Sequence, residues 1–180
     1  MLRKILTYGI IAGVIVAVPL FSLVLTGASP DGIWGMVIGY LTMLVALSTV
    51  FVAIKRRRDE DLGGVIRFWH AFGYGLAISV VAGIFYVVAW EASLAVMNHD
   101  FAASYAASLI EQERARGASA VEISKLNADM EEFKRQYADP LFRLPMTFAE
   151  IFPVGLLVSL VSAALLRNSR FLPNRAATAS

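Results

Sequence analysis

Four stretches of the chain, residues 5–25, 33–54, 72–90 and 148–166, are apolar on every side and carry no charge at their centres. The hydrocarbon core of a bilayer, roughly 30 Å thick, needs about 20 predominantly apolar residues per helix, and all four approach or exceed that length. Buried helices of a soluble protein would show a polar face at the 3.6-residue period, and these do not. Hydrophobic residues make up 58% of the 180 and charged ones 17%, a balance suited to a solvent other than water. The expected fold is all-α. A single integral membrane domain over residues 1–180 forms a four-helix transmembrane bundle, with an extracytoplasmic helical hairpin between spans three and four.

The first stretch follows Arg3 and Lys4 and precedes Thr26-Gly27-Ala28, so a cleavable signal peptide is its alternative reading. Its apolar run exceeds the usual signal core of about 7–15 residues, which favours a retained span.

Charge sets the orientation. Cytoplasmic loops are enriched in Lys and Arg. With the N-terminus inside, Arg3, Lys4, Lys55, Arg56, Arg57, Arg58, Arg67, Arg167, Arg170 and Arg175 all fall on the cytoplasmic side, ten of the 16 cations. The loop around 26–32 has none, and the segment 92–146 is net acidic. Both termini are therefore expected in the cytoplasm, in the inner membrane. The run Lys55, Arg56, Arg57, Arg58 reads as a stop-and-orient signal in contact with anionic lipid headgroups, partly neutralised by Asp59, Glu60 and Asp61 in a water-facing turn at Gly63-Gly64. A docking site for an acidic partner is the second reading.

Helices in lipid associate where small residues let backbones approach. Such stripes recur at spacing four: Gly9/Gly13/Ala17, Gly35/Gly39, Ala71/Gly75/Ser79/Gly83 and Gly155/Ser159/Ala163. They predict a compact bundle with little room for a pore, in which Thr42, Ser48, Thr49, Ser79, Ser159 and Ser162 bond between helices. Pro19 and Pro153 are expected to kink their spans. Thr147 to Glu150 has the pattern of a capping box, which predicts that the fourth helix starts near Thr147 with Glu150 as its cap.

Segment 92–146 has a helical grammar of its own. Phe101, Tyr105 and Leu109 recur every four residues before Gly117, a stop signal. Ser119 to Glu122 is a second capping box, and Leu126, Met130, Phe133 and Tyr137 follow at helical spacing until Asp139-Pro140 ends the pattern. Two amphipathic helices result. Their apolar stripes need a cover: each other, the membrane surface or a partner protein facing Leu126, Met130, Phe133 and Tyr137. A net negative charge argues against the membrane surface.

Catalytic constellations are sparse. A chain with no cysteine offers no thiolate, disulfide framework or iron–sulfur ligand. His70 and His99 fall on opposite membrane faces and cannot share a metal, and His70 beside Trp69 reads as interfacial. Glu91 and Glu150 both close on the outer rim, where a carboxylate pair for a proton or cation is conceivable. No cofactor is expected, nor an enzyme. A formal charge of +2 spread along one membrane face does not point to nucleic acid.

The run Gly39-Tyr40-Leu41-Thr42-Met43, the junction FVAIKRRRDED, the turn Gly63-Gly64-Val65-Ile66-Arg67-Phe68, the following AFGYGL and then Phe85 to Trp90 resemble the bacterial membrane family called domain of unknown function 4199. The resemblance implies four spans in a bacterial inner membrane and carries no activity. It also implies that Tyr40, Lys55, Arg58, Asp59, Gly63, Gly64 and Phe68 matter beyond local topology, in folding, docking or binding. Two functions stay open: a structural or accessory module that contacts another membrane protein or itself, and a small oligomeric transporter or channel subunit. The second is weakened by the lack of polar residues at mid-membrane depth.

Overall fold

The computed structural model describes residues 1–26, 33–97 and 100–173; residues 27–32, His99 and Arg175 lie outside them. The described residues fold into six helices: α1 Leu2–Thr26, α2 Ile33–Arg56, α3 Phe68–Val96, α4 Phe101–Ala115, α5 Ala120–Tyr137 and α6 Pro140–Leu166. A π-helical turn, Arg57–Asp61, prolongs α2. α1, α2, α3 and α6 are long and apolar enough to cross a membrane, the pattern of a multi-pass membrane protein.

α3 is the central element, lying against both α1 and α6, while α2 touches α1, α6 and α3. Small residues set these contacts in three of the four spans. A Cβ on Gly9 would sit 2.5 Å from Val81 Cβ and one on Gly13 2.4 Å from Phe85 Cβ, so α1 and α3 meet almost backbone to backbone. Between α3 and α6, a Cβ on Gly155 would fall 2.7 Å from Ser79 Cβ. There the Ser79 and Ser159 hydroxyls meet at 3.2 Å and Ser79 also donates to Gly155 O at 3.3 Å. The second stripe departs from expectation. Gly39 is exposed, with nothing within 4 Å of its Cβ position, and residues 36–41 around it are exposed on every face of the helix. Thr42, Ser48 and Thr49 likewise bond to carbonyls of their own helix rather than across it.

α6 begins seven residues before the expected start at Thr147. Asp139 caps it, accepting from Leu141 N at 2.9 Å, and Pro140 occupies the first helical position, where its missing N–H costs nothing. Asp139-Pro140 thus ends one helix and opens the next. Thr147 is consequently interior and donates to Arg143 O at 3.0 Å, so it is no cap. α1 continues through Pro19, and α6 through Pro145 and Pro153.

The stop at Gly117 and the Ser119 box are both present. Gly117 takes φ +84, and Ala118 N and Gly117 N donate back to Glu113 O and Arg114 O, closing the end of α4. Ser119 Oγ accepts from Glu122 N while Ser119 N donates to Glu122 Oε2 at 2.7 Å. That backbone N–H holds the Glu122 carboxyl below the usual carboxylate range. α4 and α5 pack antiparallel, Phe101 against Tyr137 and Tyr105 against Phe133.

Candidate functional site: the charged junction

The chain gathers its polar contacts at the two ends of the bundle. At one end lie the N-terminal turn of α1, the α2–α3 junction and the segment after α6. The buried stripe of α2 runs Leu47, Val50, Ile54, and the same spacing carried through the π-helical turn places Arg58 on it. Arg58 is 0% exposed and is the largest fully buried side chain. Its guanidinium donates to Asp59 Oδ1 at 2.7 Å, Phe171 O at 2.9 Å, Leu172 O at 2.6 Å and Leu166 O at 3.4 Å. Leu166 belongs to the last turn of α6, whose carbonyls have no partners within the helix. Arg58 therefore caps a helix more than 100 residues further along the chain.

That burial removes Arg58 from the headgroup-facing set expected of the KRRR run. Its neighbours divide differently again. Lys55 Nζ reaches Asp59 Oδ2 at 2.6 Å one helical turn on. Arg56 is exposed and donates to Tyr8 OH at 3.2 Å. Arg57 lies over the Tyr74 ring, 4.5 Å from its centroid. Lys4 grips both oxygens of Asp61, at 2.7 and 2.9 Å, tying the start of α1 to the junction. Gly63 and Gly64 take φ +64 and +90, the left-handed conformations for which glycine suits the turn. Phe68 opens α3 half-buried, stacked on Phe72 at 6.0 Å, whereas Tyr40 sits exposed on the N-terminal half of α2, far along that helix from the junction.

At the opposite end Trp90, Phe101, Tyr105, Phe133 and Tyr137 form one aromatic cluster. Trp90 meets Phe101 at 4.8 Å, and its Nε1 donates to Tyr137 OH at 2.6 Å. Burial pushes the Tyr137 phenol up. Phe133 and Tyr137 thus face α4 and the end of α3, while Leu126 and Met130 on the same stripe are half-buried. Glu91 and Glu150 do not form a pair. Glu91 accepts two bonds from Arg143, at 2.7 and 2.6 Å, fixing α3 to the start of α6. Glu150 accepts from Tyr86 OH at 2.9 Å.

The family model described as "Protein of unknown function (DUF4199)" matches residues 7–168. The chain belongs to that family. Neither the curated proteins nor the solved structures yield a match. The DUF4199 match covers all four apolar helices, the α4–α5 pair and the Arg58 turn, and ends just before Phe171 and Leu172. Tyr8, Tyr74, Tyr86, Trp90 and Arg143 were not singled out in the sequence as site residues. Only their partners in space give them a role, although Trp90, at the edge of an apolar span, carried the usual signal of an interfacial aromatic. Among the described residues no group of three or more His, Asp or Glu is placed to hold a metal ion.

Proposed function

We propose that this DUF4199 chain is a non-catalytic accessory protein of the bacterial inner membrane that works by lateral association with a second membrane protein. Its termini and charged junction face the cytoplasm, and the α4–α5 hairpin faces outward. The observation that carries the association is the outer half of α2. Trp34, Met36, Val37, Ile38, Tyr40 and Leu41 are all exposed there, and Gly39, like Gly73 near the start of α3, has no neighbour, while Gly9, Gly13, Gly75, Gly83 and Gly155 are filled by adjacent helices. An open Gly39 gives an incoming helix the close approach that drives association in lipid. The hairpin is the weaker docking surface, because Phe133 and Tyr137 are spent on internal packing.

A photo-crosslinking residue at Tyr40 is expected to capture a distinct membrane protein in cells, with Phe133 as the position that yields intramolecular products. Lipid adducts alone at Tyr40 would overturn the association. Capture of the same chain alone would favour the oligomeric transporter, for which the specific observation is a carboxylate, Glu150, exposed within an apolar helix. Orientation has a separate test, since the chain contains no native cysteine. Ser119→Cys is expected to react with an impermeant thiol reagent in intact cells and Glu60→Cys only after the cells are opened; the reverse pattern inverts the topology.

A further inference from the structure

We infer that the Arg57 guanidinium and the Tyr74 hydroxyl form a binding site for a phosphate group, supplied by an anionic phospholipid or by free phosphate. Tyr74 is 1% exposed and its hydroxyl has no hydrogen-bond partner; Arg57 Nε beside it is buried and equally without one. Buried donors are nearly always satisfied, and leaving one unpaired costs about 1–3 kcal/mol. The guanidinium lies over the phenol ring, 4.5 Å from its centroid, so both unpaired groups belong to one side-chain pair and one acceptor could serve them.

The acceptor is anionic because the surrounding carboxylates are already committed. Asp61 is held by Lys4, and Asp59 by Lys55 and Arg58. Among the described residues Arg56 and Arg57 make no close ion pair; Arg57 Nη2 lies 3.3 Å from Met1 Sδ, its guanidinium covers the Tyr74 face, and its charge also acts on Asp61. Arg3 and Arg67, both exposed, add to the same end of the bundle. Depth selects the chemistry. Tyr74 lies five residues past exposed Trp69, about 7 Å at 1.5 Å per residue, and a helical side chain leans back toward the N-terminus of its helix. Its hydroxyl therefore rises toward the interfacial layer, where the anionic oxygens are those of phosphate. A guanidinium fork suits two phosphate oxygens, and basic clusters beside membrane helices attract anionic lipid.

The test uses the full chain purified in detergent, with phosphatidylglycerol, phosphatidylcholine and inorganic phosphate as probes, read by native mass spectrometry and by thermal shift. One phosphatidylglycerol is expected to stay bound in preference to phosphatidylcholine. Tyr74→Phe is expected to weaken that binding at least about tenfold. In lipid-free detergent the same variant is expected to melt no lower than the wild type, because the hydroxyl it removes has no partner. This sign reversal separates a binding role from a folding role. Arg57→Gln should lose the bound lipid as well. A shift with inorganic phosphate equal to that with phosphatidylglycerol assigns the site to soluble phosphate, and no shift with inorganic phosphate assigns it to lipid. Binding of both probes by Tyr74→Phe and Arg57→Gln at wild-type strength, or no preference over phosphatidylcholine, would overturn the site.

Discussion

Arg58→Ala is expected to lower the melting temperature of the purified protein by roughly 6–12 °C, the equivalent of about 3 kcal/mol at about 2–4 °C per kcal/mol for a chain of this size. The loss has two parts. Three carbonyls, those of Leu166, Phe171 and Leu172, lose their donor, and a cavity opens where the largest fully buried side chain stood. Arg58→Lys is expected to fall nearly as far. A lysine ammonium concentrates its donors at one point, whereas the guanidinium spans Asp59 on one side and the post-helical carbonyls on the other. Leu172 sharpens the comparison, since it holds φ +48, a strained conformation for leucine that turns its carbonyl toward Arg58. A lysine variant that melts like the wild type would show that the buried charge alone, and not the fork, closes this end.

Gly13→Ala is expected to be the most damaging single-methyl addition in the spans. The new carbon would lie 2.4 Å from Phe85 Cβ, an atom fixed to the α3 backbone, so the two helices must separate. Overpacking of this kind costs about 1–3 kcal/mol. Gly83→Ala should be milder, because its nearest neighbour is the ring tip of Phe148, which can rotate away. Gly39→Ala is expected to leave the melting temperature unchanged or slightly raised, having no contact to disturb and a better helix former in place of glycine. Melts of the three variants in one detergent give the order. An equal loss at Gly13 and Gly39 would mean that the N-terminal half of α2 packs onto the bundle after all.

The parts of this fold that were legible in the sequence are those governed by local physics. The number of spans, the Gly117 stop and the Ser119 capping box depend on residues close together in the chain, and each is present, although α3 and α6 run longer than the apolar stretches that announce them. Asp139-Pro140 shows the limit of such signals: an acid followed by proline stops one helix and caps the next equally well, and only the continuation decides. Arg58 was hidden by its company. Among four consecutive cations it looked solvated, yet Leu47, Val50 and Ile54 already marked the helix face that it continues. Ending the helix at the first charge concealed that register. Glu91 and Glu150 illustrate the remaining gap, since helix ends on one face need not put two carboxylates side by side. Their partners, Arg143 and Tyr86, are set by the rotation of α3 against α6, and no local pattern encodes that rotation.

The Arg58 clasp also orders events in time. Its main acceptors lie 113 and 114 residues downstream, so a ribosome has made every remaining span before the guanidinium can meet them. Throughout that interval the end of α2 carries a cation with three of its four hydrogen-bond acceptors missing, and it can be buried only when α6 has arrived and the chain beyond has folded back. A nascent protein whose last span fails to insert therefore keeps an unsatisfied arginine at the end of α2, a mark of incompleteness that membrane quality control could read.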